Sequence, residues 1–296
     1  MSTTIRLAIG SILVGVLVLG IKALAWWVTG SVALYSDALE STVNVATAIA
    51  ALIAIHVAAR PADEQHPYGH HKAEFFSAVL EGVMIILAAL LILSEAYHGL
   101  MAPAALALPI EGLLINGAAT VINAIWATVL VNRGRHARSA ALVADGKHLF
   151  TDVVTSAGVV LGVLLAILTE WWILDPLMAA FVALNILWSG FKVVRESLSG
   201  LLDEAVSHET LERVREIIAT EAGGAVEAHD LRTRHAGPVI FIEFHLVVPG
   251  DITVYAAHEI CDRVEDALRA EIEGAKITIH VEPEHKRKQT GVLVLT

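Results

Sequence analysis

The feature that most constrains this chain is a series of long apolar stretches with short polar breaks, running from the start to about Ser197. A helix needs roughly 20 mostly apolar residues to cross a bilayer. Six stretches meet that length, at about 5–28, 32–58, 74–100, 109–132, 146–169 and 171–193. Glu170, Trp171 and Trp172 part the last two in a tight, partly aromatic turn. Beyond Ser197 the pattern becomes that of an ordinary soluble domain. The chain therefore reads as a polytopic α-helical membrane protein with six transmembrane helices over residues 1–200. A cytoplasmic α+β domain follows over 201–285, then a short tail over 286–296.

Composition and charge narrow the class. Hydrophobic residues make up 56% of the chain, well above a soluble protein's share. The net charge of −11 is uneven. Residues 1–200 hold 10 basic and 13 acidic side chains, a net of −3, whereas 201–296 hold 10 and 18, a net of −8. An acidic soluble domain argues against nucleic acid as partner and suits the attraction of cations. Cys261 is the one cysteine, which excludes an internal disulfide and thiolate metal sites. The apolar run after Arg6 is too long for a cleavable leader.

Basic residues set the orientation. Arg6, Arg60, Lys72, Arg133, Arg135, Arg138, Lys147, Lys192 and Arg195 all fall on one side of the six spans. The breaks near Gly30, Pro103 and Glu170 hold no Lys or Arg. Both termini are expected in the cytoplasm. Trp26 and Trp27 then close the first span at the outer interface, and Lys22, a turn deeper, is expected to snorkel to the outer headgroups.

Ionisable groups in mid-bilayer cost about 2.5–3.5 kcal/mol each on insertion scales, so each needs a reason. Span two carries Asp37, Glu40 and Asn44 in YSDALESTVN, and span five carries Asp145, His148 and Asp152 in ADGKHLFTD. Glu40 and Asn44 are four apart, as are His148 and Asp152. That spacing stacks each pair on one helix face, and two such faces can surround one ion. Carboxylate with imidazole suits tetrahedral zinc and other borderline divalent metals. Such ligands shed protons to take metal, so the site is a natural proton–metal exchanger. An interhelical polar network that only glues the bundle is the plainer reading, but such networks usually use Ser, Thr, Asn or Gln. Asp37 and Asp145 are given a supporting role.

Two further groups stand outside the spans. In the second loop, DEQHPYGHHKAE, Asp63, His66 and His70 form a compact set with Pro67 and Gly69 bending the chain between them. His71 is an alternative ligand there. HExxH is absent, so this is no metallopeptidase signature. The soluble part reads as a helix (about 205–222), strands 226–234 and 238–248, a helix (253–271) and a strand (275–281). This αββαβ order suggests an open-faced sandwich with both helices on one sheet face. His229, His245 and His280 fall on the three strands, Glu282 two residues after His280, and His258 on the second helix. Each alone is more often structural or surface than ligand; together in one acidic domain they point to metal. The ending GVLVLT is apolar with no assigned role.

In order along the chain, AWWVTGSVALYSDALES, HPYGHHKAE, ADGKHLFTD, AHDLRTR, FIEFHL and ITIHVEP resemble the cation diffusion facilitator family. The resemblance spans about residues 8–285 and is nearest the family's bacterial zinc and iron exporters. It implies a homodimer in the bacterial inner membrane that exchanges divalent metal for protons by alternating access. By position it places Glu40, Asn44, His148 and Asp152 in the transport site, and Asp63, His66 and His70 in a loop site. His229, His245, His258, His280 and Glu282 match a cytoplasmic site between paired tails, and Lys72 and Asp203 a charged pair linking the domains. Two positions depart from the pattern. Glu40 stands where Asp or His is usual, and Asn44 where Asp is usual. Asn is neutral and cannot release a proton, so metal choice and proton stoichiometry do not carry over. Glu282 replaces a usual Asp. The leading expectation is export of a divalent cation, Zn2+ first, with iron, manganese, cobalt or cadmium open. A membrane-anchored metal sensor that moves nothing is the alternative. No enzyme activity is expected, since no nucleophile motif is present.

Overall fold

The computed structural model describes residues 3–29, 32–101, 110–169, 171, 173–288 and 292–293. Within its helices the side chains of 29, 32–37, 39–40, 110–113, 159–160, 162–168 and 175 lie outside the described residues. The chain divides into two compact units, Met1–Leu198 and Ser199–Thr296.

Among the described residues the first unit holds six helices: α1 (Thr3–Thr29), α2 (Val32–Ala58), α3 (Ala73–Met101), α4 (Ile110–His136), α5 (Ala140–Thr169) and α6 (Leu174–Leu201, whose last residues belong to the second unit). Five of them are long and apolar enough to cross a membrane. In α5 the side chains of 159–160 and 162–168 lie outside the described residues, and its described first half carries Asp145, Lys147 and Asp152. The helices are apolar on both sides. Leu13, Leu17, Leu91, Phe181 and Trp188 are exposed, as a lipid-facing surface requires and a water-facing one would not tolerate.

Small residues set the interior. Ala8, Ala51, Ala127 and Ala141 from α1, α2, α4 and α5 share one buried cluster with Ile55, Leu130, Leu142 and Leu149. A Cβ on Gly146 would stand 3.0 Å from the backbone nitrogen of Val131, so α4 and α5 approach at near-backbone distance, as small residues allow. The α5 helix begins six residues before the apolar window of span five. Ser139 caps it, its Oγ accepting from the Leu142 amide at 3.4 Å, and Glu74 accepts from Ser139 Oγ and the Ala141 amide. The early start puts Asp145 well inside the helix. Lys22 also departs from expectation. Its side chain is only 2% exposed, so it is buried in the bundle rather than extended to headgroups. Intramembrane charges usually face the bundle interior for this reason.

The second unit has the expected αββαβ order: α7 (His208–Glu221), β1 (Glu227–Ala236), β2 (Val239–Val248), α8 (Val254–Glu271) and β3 (Ala275–Pro283). A short 3-10 turn (Glu284–Lys286) and β4 (Val292–Leu293) follow. Sheet order is β3-β2-β1-β4, with β1 and β2 antiparallel and β2 and β3 parallel across the α8 crossover. Ser207 and Thr253 cap α7 and α8 through their hydroxyls. Ile240, Ile242, Phe244, Leu246 and Val248 join Val214, Ile218, Val264 and Leu268 in one core. Alternate β2 residues therefore face the helices, and His245, out of phase, faces the other side. Of the apolar ending, Val292 and Leu293 pair with Ala228 and Glu227 at the β1 edge, and the rest lies outside the described residues. Gly274 makes the turn into β3 at φ 78°, and a Cβ there would meet the Pro238 carbonyl oxygen at 2.4 Å.

Candidate metal centres

In the membrane unit α2 brings Asn44 against the face of α5 that carries His148 and Asp152. Asn44, His148 and Asp152 are each 4% exposed. Asn44 donates through Nδ2 to Asp152 Oδ2, and its Oδ1 lies 2.8 Å from His148 Nε2. The amide thus bridges the two α5 groups. For the amide to accept from the imidazole, His148 must carry its proton on Nε2. Metal taken at that nitrogen displaces this proton and this hydrogen bond, so binding has to rearrange the triad. The side chains of Glu40 and Asp37 lie outside the described residues; Glu40 stands one helical turn before Asn44 in α2. Asp145, 2% exposed, accepts from Ser11 Oγ of α1.

In the second loop, Asp63, His66 and His70 offer ligand atoms within 4.8 Å of one another. Asp63 lies 3.2 Å from His66 Nδ1 and 3.4 Å from His70 Nε2, and the two rings are 4.3 Å apart. The amides of Gln65 and His66 donate to Asp63 Oδ1 at 3.0 and 2.7 Å. This Asx-type turn draws the spacing shut. The His66 amide, first, holds the Asp63 carboxyl below its usual range, which keeps it ionised as a metal ligand must be. Gly69 at φ 89° completes the turn. His71 borders that glycine.

The third group crosses the tail sheet in register. His229 pairs with His245, and His245 with His280, on β1, β2 and β3. Ring centroids are 5.3 and 4.9 Å apart. Glu282 reaches all three, at 3.2 Å from His229, 3.4 Å from His245 and 3.7 Å from His280. Asp230, His245 and His280 line a depression of about 150 Å³. On the far side of His229, Nδ1 meets the fully buried Glu227 at 3.0 Å, an outer partner that orients a ligating ring. His258 is not brought to this group. It stands exposed on α8, on the helix layer, 3.7 Å from Asp262.

Sequence reasoning missed Asp230. It has φ 54°, and the β1–β2 register slips between His229 and Arg232. This bulge puts two successive side chains on the His245 side, with Asp230 4.0 Å from His245. Lys288 donates to Asp230 at 2.6 Å and, as the leading cause, holds its carboxyl below the usual range. No local signal announces a bulge. Glu81 was also passed over. It is a carboxylate inside an apolar span, and burial cost alone could have flagged it. Lys72 and Asp203 fall in separate units, and Asp203 accepts from Arg234 at 3.2 Å.

Both parts of the chain match known protein families. The family described as "Cation efflux transmembrane domain" matches residues 8–202, and "Cation efflux protein, cytoplasmic domain" matches 206–284. The uncharacterized transporter sll1263 of Synechocystis sp. is 44% identical over 265 residues, covering 90% of this chain and 86% of that protein. The cation-efflux pump FieF of Cronobacter sakazakii is 32% identical over 281 residues, covering 94% and 92%. A solved chain of CzrB in its Zn form is 51% identical, with a TM-score of 0.27, covering 29% of this chain and 98% of its own.

Proposed function

The chain belongs to the cation efflux family, the cation diffusion facilitators, and from that premise we propose that it is a proton-coupled antiporter. It exports a divalent metal cation from the cytoplasm, Zn2+ first. One observation carries the reading: Asn44, His148 and Asp152 form a buried, hydrogen-bonded cluster between two membrane helices. Glue alone would not require an imidazole and a carboxylate there. With Glu40, the set has two carboxylates to balance a 2+ ion. Zinc leads because imidazole with carboxylate suits it; iron(II), manganese, cobalt and cadmium share these ligands. The chain works in a bacterial inner membrane with both termini in the cytoplasm, as a homodimer whose tails pair. His258, remote from the sheet histidines, would then act from the paired copy. The loop set of Asp63, His66 and His70 takes a further ion.

The test is a metal-competition flux assay on reconstituted protein, repeated with Asn44→Asp. Proton-driven zinc movement by the unmodified protein, with altered selectivity or proton coupling in the variant, is the expected result. Equal flux with and without a pH gradient would remove the antiport. A second reading, a membrane-anchored metal sensor, draws on the register of His229, His245 and His280. It requires metal-dependent tail closure without any flux in the same proteoliposomes.

A further inference from the structure

The membrane unit buries one carboxylate that nothing above uses. Glu81 of α3 is 0% exposed. Among the described residues its Oε1 has a long 3.4 Å hydrogen bond from Ser77 Oγ alone, and its Oε2 has no hydrogen-bond partner. Burying a carboxylate so poorly compensated is costly unless a proton or a metal cation neutralises it.

The packing of α3 on α5 locates this group. Glu74 bonds Ser139 and Ala141, 65 and 67 residues further on. Ala78 shares a buried cluster with Ala144, an offset in the same range. The two helices therefore run parallel in a fixed register. That register sets Glu81 level with Lys147 and His148, about 3 Å along the axis from Asp145. Glu81 and Asp145 thus stand within one helical turn of the same level, on two helices packed together. Asp145 is itself buried, held by Ser11.

We propose that Glu81 and Asp145, with Ser11 and Ser77 beside them, form a second, all-oxygen cation site beside the Asn44–His148–Asp152 cluster. Two carboxylates balance a divalent ion. Without imidazole the set favours hard cations such as Mn2+ and holds zinc loosely. A loose site on the N-terminal side of His148 can hand an ion to the tighter cluster. The direction of that hand-over rests on the export reading; the existence of the site does not.

The test counts Mn2+ bound to the full chain in detergent, from the electron paramagnetic resonance signal of free Mn2+. The background is His148→Ala, which cripples the neighbouring cluster. Adding Glu81→Gln, which keeps the shape and the Ser77 contact, should remove one Mn2+ per chain or weaken it at least tenfold, a roughly charge-set effect. Glu81→Asp should retain the ion with reduced affinity, and this arm decides the matter if the glutamine variant does not fold. An unchanged Mn2+ count and affinity in both variants overturns the proposal. If the ion is lost in the glutamine variant but the unmodified protein moves no metal, the site stands and the export reading fails.

Discussion

In the membrane unit, Asn44 of α2 is brought against His148 and Asp152, four apart on α5. In the tail, His229, His245 and His280 stand on three neighbouring strands and meet because the sheet is in register. The helical cluster is buried, with each member 4% exposed, and its contacts are side chain to side chain. The tail cluster opens to solvent, with the His280 side chain 65% exposed, and a hydrogen-bonded ladder fixes its spacing. Helices that touch through alanine and glycine can slide without breaking backbone hydrogen bonds, whereas strands cannot. The first arrangement suits an ion that must be taken up and released. The second suits an ion that is held.

The largest test of this contrast is at α5. His148→Ala or Asp152→Ala should cut proton-driven metal flux by at least about a hundredfold, beyond the usual cost of losing even an outer partner. Tail folding should be untouched, and vesicle uptake with circular dichroism reads both. Next is the tail. Glu282→Ala removes a carboxylate that lies within 3.7 Å of all three histidines. Zinc affinity there should drop about 10–100-fold while flux changes far less, as calorimetry beside the flux assay would reveal. A third change attacks the ladder's rigidity. Gly274→Ala puts a methyl against the Pro238 carbonyl at positive φ, and should destabilise the tail by about 1–3 kcal/mol in denaturant melts. An unaltered melt would mean that the β3 register is not held by this turn.

The smallest effect concerns Asp230. Its carboxyl is held below the ordinary range, first by Lys288. A lowered value stabilises the folded tail above the unfolded pKa of about 3.9. That stability fades as pH falls through the lowered folded value. Asp230→Asn should therefore melt slightly lower than the unmodified chain at neutral pH, and the two should converge below about pH 4. A gap that persists in acid would assign the difference to packing instead.

Sequence pattern reached the architecture because the two periodicities differ so sharply. Twenty-residue apolar runs could only be spans, and the alternation in FIEFHL could only be a half-buried strand. Helix spacing also put His148 and Asp152 on one face, and strand spacing put Glu282 on the side of His280. Features set by tertiary contact were illegible. The early start of α5 depends on Glu74, which is 65 residues from Ser139. The turning of Asp230 depends on a bulge, and the seat of Val292 and Leu293 on an open β1 edge. Lys22 was misplaced because snorkelling is a rule for helix ends facing lipid, and this side chain faces inward.

The division of labour between the two clusters is the central claim, and one paired measurement tests it most directly. Zinc flux driven by a pH gradient and zinc retained by the tail are read on the same reconstituted protein, for Asp152→Ala and for Glu282→Ala. Opposite losses are expected: Asp152→Ala abolishes flux and keeps tail zinc, while Glu282→Ala loses tail zinc and keeps most flux. Full flux in Asp152→Ala, or flux abolished in Glu282→Ala with a folded tail, would contradict it.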